Sequence, residues 1–212
     1  MPAPNKKPEL LDPSYTYAAS PNTSGVRKTT ELIVMHYTVS DNLHNTVQWL
    51  CEPRAKASAH FVVGRDGAVV QLMPVDNVAW HAGRSVWQGR DLVNTYSVGV
   101  EIVNLGPLQR KSDGTFVSVA GARKVAPDDV FHGKHETDQQ CPFEYWQKYP
   151  DAQLAAVRAL VAKLRAKYPS IKDVVGHSDV APFRKIDPGA ALPADMLTAR
   201  VVPAAMPARV VS

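Results

Sequence analysis

The run Gly176-His177-Ser178-Asp179-Val180-Ala181-Pro182-Phe183-Arg184-Lys185-Ile186-Asp187-Pro188-Gly189 gathers an imidazole, a guanidinium, an ammonium and two carboxylates. Val174-Val175 ahead of it read as the end of a buried strand, and Pro182 and Pro188 exclude a helix through the segment beyond that strand. His177 is therefore expected at a strand end, with Asp187 on a loop able to fold back towards it. Imidazole and carboxylate are both ligands that Zn²⁺ accepts, and a catalytic zinc keeps three protein ligands plus one open position. The third ligand has to come from elsewhere in the chain. Leu32-Ile33-Val34-Met35-His36-Tyr37-Thr38 offers it, as a second apolar strand closing on a histidine. His36, His177 and Asp187 together make an open zinc site.

Three other stretches stand in order between these two: Ala57-Ser58-Ala59-His60-Phe61, Ala79-Trp80-His81-Ala82-Gly83 and Ser97-Val98-Gly99-Val100-Glu101. With Val34-Met35-His36-Tyr37-Thr38 and the opening run they form five motifs between Glu31 and Pro193. In this order the chain resembles the zinc-dependent N-acetylmuramoyl-L-alanine amidases of the peptidoglycan-recognition-protein fold, the type-2 amidase family. The resemblance implies one Zn²⁺ per chain on His36, His177 and Asp187, and hydrolysis of the amide between N-acetylmuramic acid and L-alanine in peptidoglycan or muropeptides. Some members carry cysteine where this chain has Asp187, and a carboxylate oxygen is equally a zinc ligand. The resemblance also implies that Glu101 shuttles the proton and that Lys185 stabilises the oxyanion. It places His81 in the groove as a substrate contact, and Arg84, Asn104 and Tyr37 join it as candidates. The alternative is a recognition module that binds muropeptides without cutting them. Such a protein is expected to lack a zinc ligand, and here all three positions are filled.

The residues themselves separate these candidates from bystanders. Either strand-end histidine alone is better explained as a core residue; the set of three, with the motifs, favours ligation. Glu101 lies among Val98, Val100, Ile102 and Val103, where a carboxylate needs a reason to be. His60 reads as a structural histidine beside a hairpin, His44 as helix surface, and His132 and His135 as surface residues of a polar loop.

The elements that must position the site are set by the pattern. Glu31 to Tyr37 and Ser97 to Val103 are apolar strands covered on both faces. Ser40-Asp41-Asn42 offers N-caps for a helix through Thr46, Val47 and Leu50 that Pro53 ends. Ala59 to Val63 and Ala68 to Leu72 flank an Asp-Gly turn and predict a hairpin. Leu154, Val157, Leu160, Val161 and Leu164 fall at helical spacing between Asp151 and Tyr168. Ala194 to Arg200 is expected to close the domain as a short helix. Residues 1–28 read as an extended arm packed through Tyr15 and Tyr17, 29–200 as the catalytic domain and 201–212 as a frayed tail. Within the domain, 104–149 is too long for a simple connection and reads as an irregular loop or insertion bordering the groove. The fold expected is a single α/β domain with a central mixed sheet flanked by helices.

Composition sets outer limits. At 212 residues with 45% apolar and 21% charged residues, the chain suits one globular domain. The net charge of +4 favours anionic partners such as wall fragments, and no basic block points to nucleic acid. Cys51 and Cys141 do not make a disulfide framework; they could form one bridge, but buried or idle thiols are the better reading. No apolar run reaches the ~20 residues of a membrane span. The chain is expected to be a monomer, cytoplasmic as synthesised without a Sec leader or lipid anchor, with lysis or a leaderless route open to it.

Overall fold

The computed structural model describes residues 9–135, 137 and 141–199. The lead-in is docked on the domain by two short strands, β1 (Thr16–Tyr17) and β2 (Thr23–Val26). Tyr15 meets Phe61 edge-on with ring centroids 6.2 Å apart. β3 (Leu32–Tyr37) comes next, buried from Leu32 to His36. Helix α1 (Leu43–Leu50) opens where Asn42 Oδ1 accepts the Asn45 N–H at 2.9 Å, satisfying one of the orphan donors of the first turn.

β4 (Phe61–Val63) and β5 (Val69–Gln71) form the expected antiparallel hairpin. Its turn requires glycine at position 67, where φ is +86° and a Cβ would stand 2.9 Å from the Ala152 carbonyl oxygen. The next segment, after the hairpin, is held by short strand pairings. It carries β6 (Asn77–Ala79), which pairs with β2, and the small ladder of β7 (Val86–Trp87) with β8 (Arg90–Asp91). β9 (Ser97–Ile102) then returns to the centre.

Residues 104–149 depart from the expectation. They fold as a second sheet of β10 (Pro107–Arg110), β11 (Phe116–Ser118), β12 (Lys124–Val125), β13 (Val130–His132) and β14 (Tyr145–Gln147). The order is β12-β11-β10-β14-β13, every pair antiparallel, around a small core of Leu105, Leu108 and Val125 with Phe116, Val130 and Tyr145.

Helix α2 (Asp151–Lys167) buries Val157, Leu160 and Leu164, and β15 (Asp173–Gly176) completes the main sheet. α3 (His177–Val180) corrects the expectation of no helix after that strand. A single turn fits before Pro182, because proline bars only the turn that would run through it. Ala194–Met196 forms one 3₁₀ turn where a longer helix was expected. Arg200 and the tail 201–212 lie outside the described residues.

The main sheet runs β1-β5-β4-β9-β3-β15, parallel except for the β4–β5 hairpin. The period-two alternation divides its faces. Ile33, Met35, Phe61, Val98, Val100 and Val174 pack under α2, while Leu32, Val34 and Val175 point the other way towards Trp87, Val93 and Tyr96. On that second face Val62 and Val70 lie beneath α1. The region between α1 and the Trp87 cluster, at the carboxyl ends of β3, β9 and β15, is where the polar side chains collect. No helix among the described residues is long and apolar enough to cross a membrane.

Candidate functional site

Strand pairing brings the site together. His36 on β3 and Glu101 on β9 are register partners in a parallel pair, so their side chains leave the sheet on one face. Gly176 pairs with Met35, which sets His177 beside His36 as the first residue of α3. The loop after α3 folds back so that the Ser178 N–H donates to the Asp187 carbonyl at 2.9 Å. His36 Nδ1, His177 Nδ1 and Asp187 Oδ2 then form a triangle with every side 2.9 Å, all three residues buried. Among the described residues these three make the group of side chains able to hold a metal ion.

The outer nitrogens of the two histidines are also engaged. His177 Nε2 lies 3.1 Å from the Ala82 carbonyl, and His36 Nε2 lies 3.1 Å from His81 Nδ1. Burial, and then the neighbouring His177, push the His36 pKa down to about 4, so its ring is neutral at pH 7. Burial works to raise the Asp187 carboxyl, and a proton on the His177 or His36 nitrogen facing it would outweigh burial and hold it below the usual carboxylate range.

These observations test whether a metal fits. A carbonyl can only accept, so His177 Nε2 carries the hydrogen that it donates to Ala82, and the tautomer with that one proton turns a bare Nδ1 lone pair towards the carboxylate. A proton placed on one edge of the triangle bridges two of its atoms; a cation held by all three satisfies them together. Two imidazole nitrogens and one carboxylate oxygen, each backed by a second hydrogen bond or a tethered loop, suit zinc with one position left open.

Glu101 stands next to this triangle. Its Oε2 is buried with no hydrogen-bond partner, a costly state for a carboxylate. Burial first, and then the charge of Asp187, push its pKa up to about 8 against the opposing pull of Lys185. His36, Tyr37, His81, Glu101, His177, Lys185 and Asp187 line one cavity of about 300 Å³. A second cavity of about 370 Å³ shares the Tyr37 and Glu101 walls and extends along α1 past Asn45, Thr46 and the half-exposed Trp49.

The remaining candidates are placed differently. Tyr37 borders both cavities, its ring lying where a Cβ at Gly106 would stand 2.8 Å away, and burial raises its hydroxyl pKa. The Arg84 side chain is exposed and lines neither cavity, while its carbonyl accepts from Arg184 Nη2 at 2.6 Å. Asn104 is buried outside the groove, donating through Nδ2 to the Gln147 and Lys148 carbonyls and accepting the Gly106 N–H at 2.8 Å. Its polar groups hold the second sheet to the first. His81 keeps both ring nitrogens occupied, by His36 and by Ser97 Oγ at 3.1 Å.

Among the histidines set aside as bystanders, His60 is structural, donating to the Asn77 carbonyl and accepting the Gly99 N–H. His44 is exposed, and His132 stacks on Tyr145 at the surface. His135 is a correction: it is buried and donates to the Ile186 carbonyl at 3.0 Å, one residue from Asp187. Tyr149 OH donates to the Pro188 carbonyl at 2.7 Å, and the Trp146 ring lies against Gly189. None of the described residues of 104–149 lines the cavity at the triangle; the segment grips the Asp187 loop from behind. Sequence reading also missed Arg184, whose Nη2 bonds to the Ala82 and Arg84 carbonyls tie that loop to the Trp80–Arg84 segment. Cys51 and Cys141 form no disulfide.

Comparison with known proteins accords with this geometry. Residues 26–190 match the family described as N-acetylmuramoyl-L-alanine amidase. The 1,6-anhydro-N-acetylmuramyl-L-alanine amidase AmpD of Enterobacter cloacae is 35% identical over 135 residues, 63% of this chain and 51% of that protein. The N-acetylmuramoyl-L-alanine amidase AmiD of Escherichia coli (strain K12) is 29% identical over 172 residues, 77% of this chain and 50% of that protein. The chain thus spans about half the length of the curated relatives it matches. A crystal structure of a selenomethionine AmpD derivative superposes with a TM-score of 0.58 at 25% identity, covering 89% of this chain and 97% of that one. AmiD from E. coli, in complex with the substrate anhydro-N-acetylmuramic acid-L-Ala-D-gamma-Glu-L-Lys, superposes with a TM-score of 0.58 at 26% identity over 80% of this chain and 56% of that one. The match over 26–190 takes in all three corners of the triangle as well as Glu101 and Lys185, and it makes the chain a member of the N-acetylmuramoyl-L-alanine amidase family.

Proposed function

We propose that the chain is a zinc-dependent hydrolase of the amide between N-acetylmuramic acid and the L-alanine of a stem peptide. The observation that carries this reading is the buried triangle of His36, His177 and Asp187 with the partnerless Glu101 carboxyl beside it. A zinc ion held there supplies Lewis-acid chemistry, polarising a scissile carbonyl and making water more acidic.

The protein's own groups supply the rest. Burial raises the Glu101 pKa to about 8 in the metal-free protein. A cation held by the triangle would draw it back towards neutrality, where the group can take a proton from an attacking water and return it to the departing amine. Its carboxyl, which lines the cavity, is the group on which that proton resides between the two steps. The Lys185 ammonium lines the same cavity and offers positive charge to the oxyanion that develops on the scissile carbonyl. Tyr37 and Trp49 bound the connected groove, which gives sugar and peptide separate directions away from the triangle. The AmiD complex with a muramoyl peptide supports a peptidoglycan fragment as the substrate here. A monomer suffices, since ligands, Glu101 and groove all come from one chain.

A module that binds muropeptides without cutting them has no use for a carboxyl with one buried, partnerless oxygen, so Glu101 favours the enzyme. The test is to incubate the zinc-loaded protein with a muramoyl tripeptide and identify products by mass spectrometry. A free peptide beginning with L-alanine is expected; bound but intact substrate would favour the recognition module instead.

A further inference from the structure

We propose that Ser97 and His81 form a hydrogen-bond relay that fixes His36 in one tautomer, with the proton on Nε2 and a bare Nδ1 lone pair turned towards the metal. The inference rests on the reading of His36 as a ligand and concerns residues behind it.

The direction of each bond follows from counting protons. Ser97 Oγ carries one hydrogen and lies 2.6 Å from the Val93 carbonyl, which can only accept. With that hydrogen spent, the hydroxyl can only accept at His81 Nε2, 3.1 Å away, so His81 carries its proton on Nε2. A buried His81 ring that carries one proton, on Nε2, has none on Nδ1. His81 Nδ1 therefore accepts from His36 Nε2 at 3.1 Å, and neutral His36 has no proton left for Nδ1. A backbone carbonyl at the far end of the chain thus decides the protonation of the ligand nitrogen.

The place for His81 is built into the sheet. Gly99 interrupts β9 directly beneath the ring, where a Cβ would stand 2.5 Å from His81 Cγ and 2.7 Å from Cδ2. The His81 and Ala82 N–H groups both donate to Asn94 Oδ1, at 3.2 and 2.8 Å, which fixes the segment along its length. Two consecutive residues then orient both histidine ligands, His81 through its ring for His36 and Ala82 through its carbonyl for His177. Partners of this kind fix tautomer and ring angle and raise the basicity of the ligand. His81 is accordingly a positioning residue, and its nitrogens are not free for a substrate.

Long-range ¹H–¹⁵N NMR correlations on the zinc-loaded, ¹⁵N-histidine-labelled protein read these tautomers directly. The expected result is a proton on Nε2 of His81 and of His36, with His81 Nδ1 unprotonated. A His81 protonated on Nδ1, or on both nitrogens, would overturn the relay. Chelator competition on His81→Ala gives a second reading, with zinc affinity expected to fall roughly 10–100-fold. Ser97→Ala, a near-isosteric change, should weaken zinc in the same direction and remove the bias in the His81 tautomer. Unchanged zinc affinity in a folded His81→Ala protein, with only KM altered, would overturn the relay in favour of a substrate contact. A wild-type protein that binds no zinc would overturn the metal reading along with it.

Discussion

His36 and Glu101 face one another as register partners on adjacent parallel strands, so one backbone pairing fixes both the candidate ligand and the half-buried carboxyl beside it. That relationship separates chemistry from metal binding. Glu101→Gln keeps the shape of the side chain but cannot take a proton from water. General acid–base catalysis is worth ~10²–10⁴-fold, so kcat should fall by that order while zinc content stays near wild type. KM should change little, because the loss lies in the transition state. Lys185→Met should likewise spare zinc and lower kcat. Steady-state kinetics with zinc content measured on the same samples checks both; a zinc-loaded Glu101→Gln protein with normal turnover removes Glu101 from the mechanism.

Tyr149 and Pro188 join the second sheet to the ligand loop. Tyr149→Phe deletes the buried hydroxyl that donates to the Pro188 carbonyl and leaves that carbonyl one bond short. Such a change costs about 1–3 kcal/mol. The variant should therefore unfold at lower urea concentration, and it should lose zinc to a chelator faster than wild type because Asp187 is the next residue along. Equal release rates in the two proteins would confine the tyrosine to a structural role.

His60 gives the metal-free protein a defined acid sensitivity. Burial, and then the charge of Arg27, hold its folded pKa down to about 3 against an ordinary 6.5. Below the ordinary value the unfolded chain takes a proton that the folded chain refuses, so stability present at pH 7 is lost as pH falls towards 3. The slope from one such proton is about 1.4 kcal/mol per pH unit. His36 and His81 are also held low and act in the same sense, so comparison with His60→Gln isolates this one residue. Urea unfolding from pH 7 to pH 4.5 should show the variant, less stable at pH 7, losing stability less steeply by that amount. Parallel curves would contradict the assignment.

Much of this was legible in the chain because local rules carried it. The buried run ending at His36, the Asn42 cap, the Asp66-Gly67 hairpin and the α2 periodicity each depend on residues near one another, and each appears as expected. His177 and Asp187 were legible because a strand end and a proline-rich stop stand ten positions apart. The second sheet was hidden for the opposite reason. Its strands are two to four residues long and partly exposed, so no apolar run marks them, and the β10–β14 pairing of Pro107 with Trp146 spans the whole segment. Asn104 and His135 were misplaced with it, since a polar side chain in an apparent loop gives no sign that its hydrogen bonds are spent inside. The Ser97–His81 relay did leave a trace: Ser97, Gly99 and Glu101 are the non-apolar positions of β9 at a spacing of two, all on the site's face.

The central claim is that His36, His177 and Asp187 hold one zinc ion. Elemental analysis of the purified wild type and of His36→Ala, His177→Ala and Asp187→Ala tests it most directly. One zinc per chain is expected in the wild type, with marked loss in each of the three variants. Full zinc occupancy in all three would contradict the account.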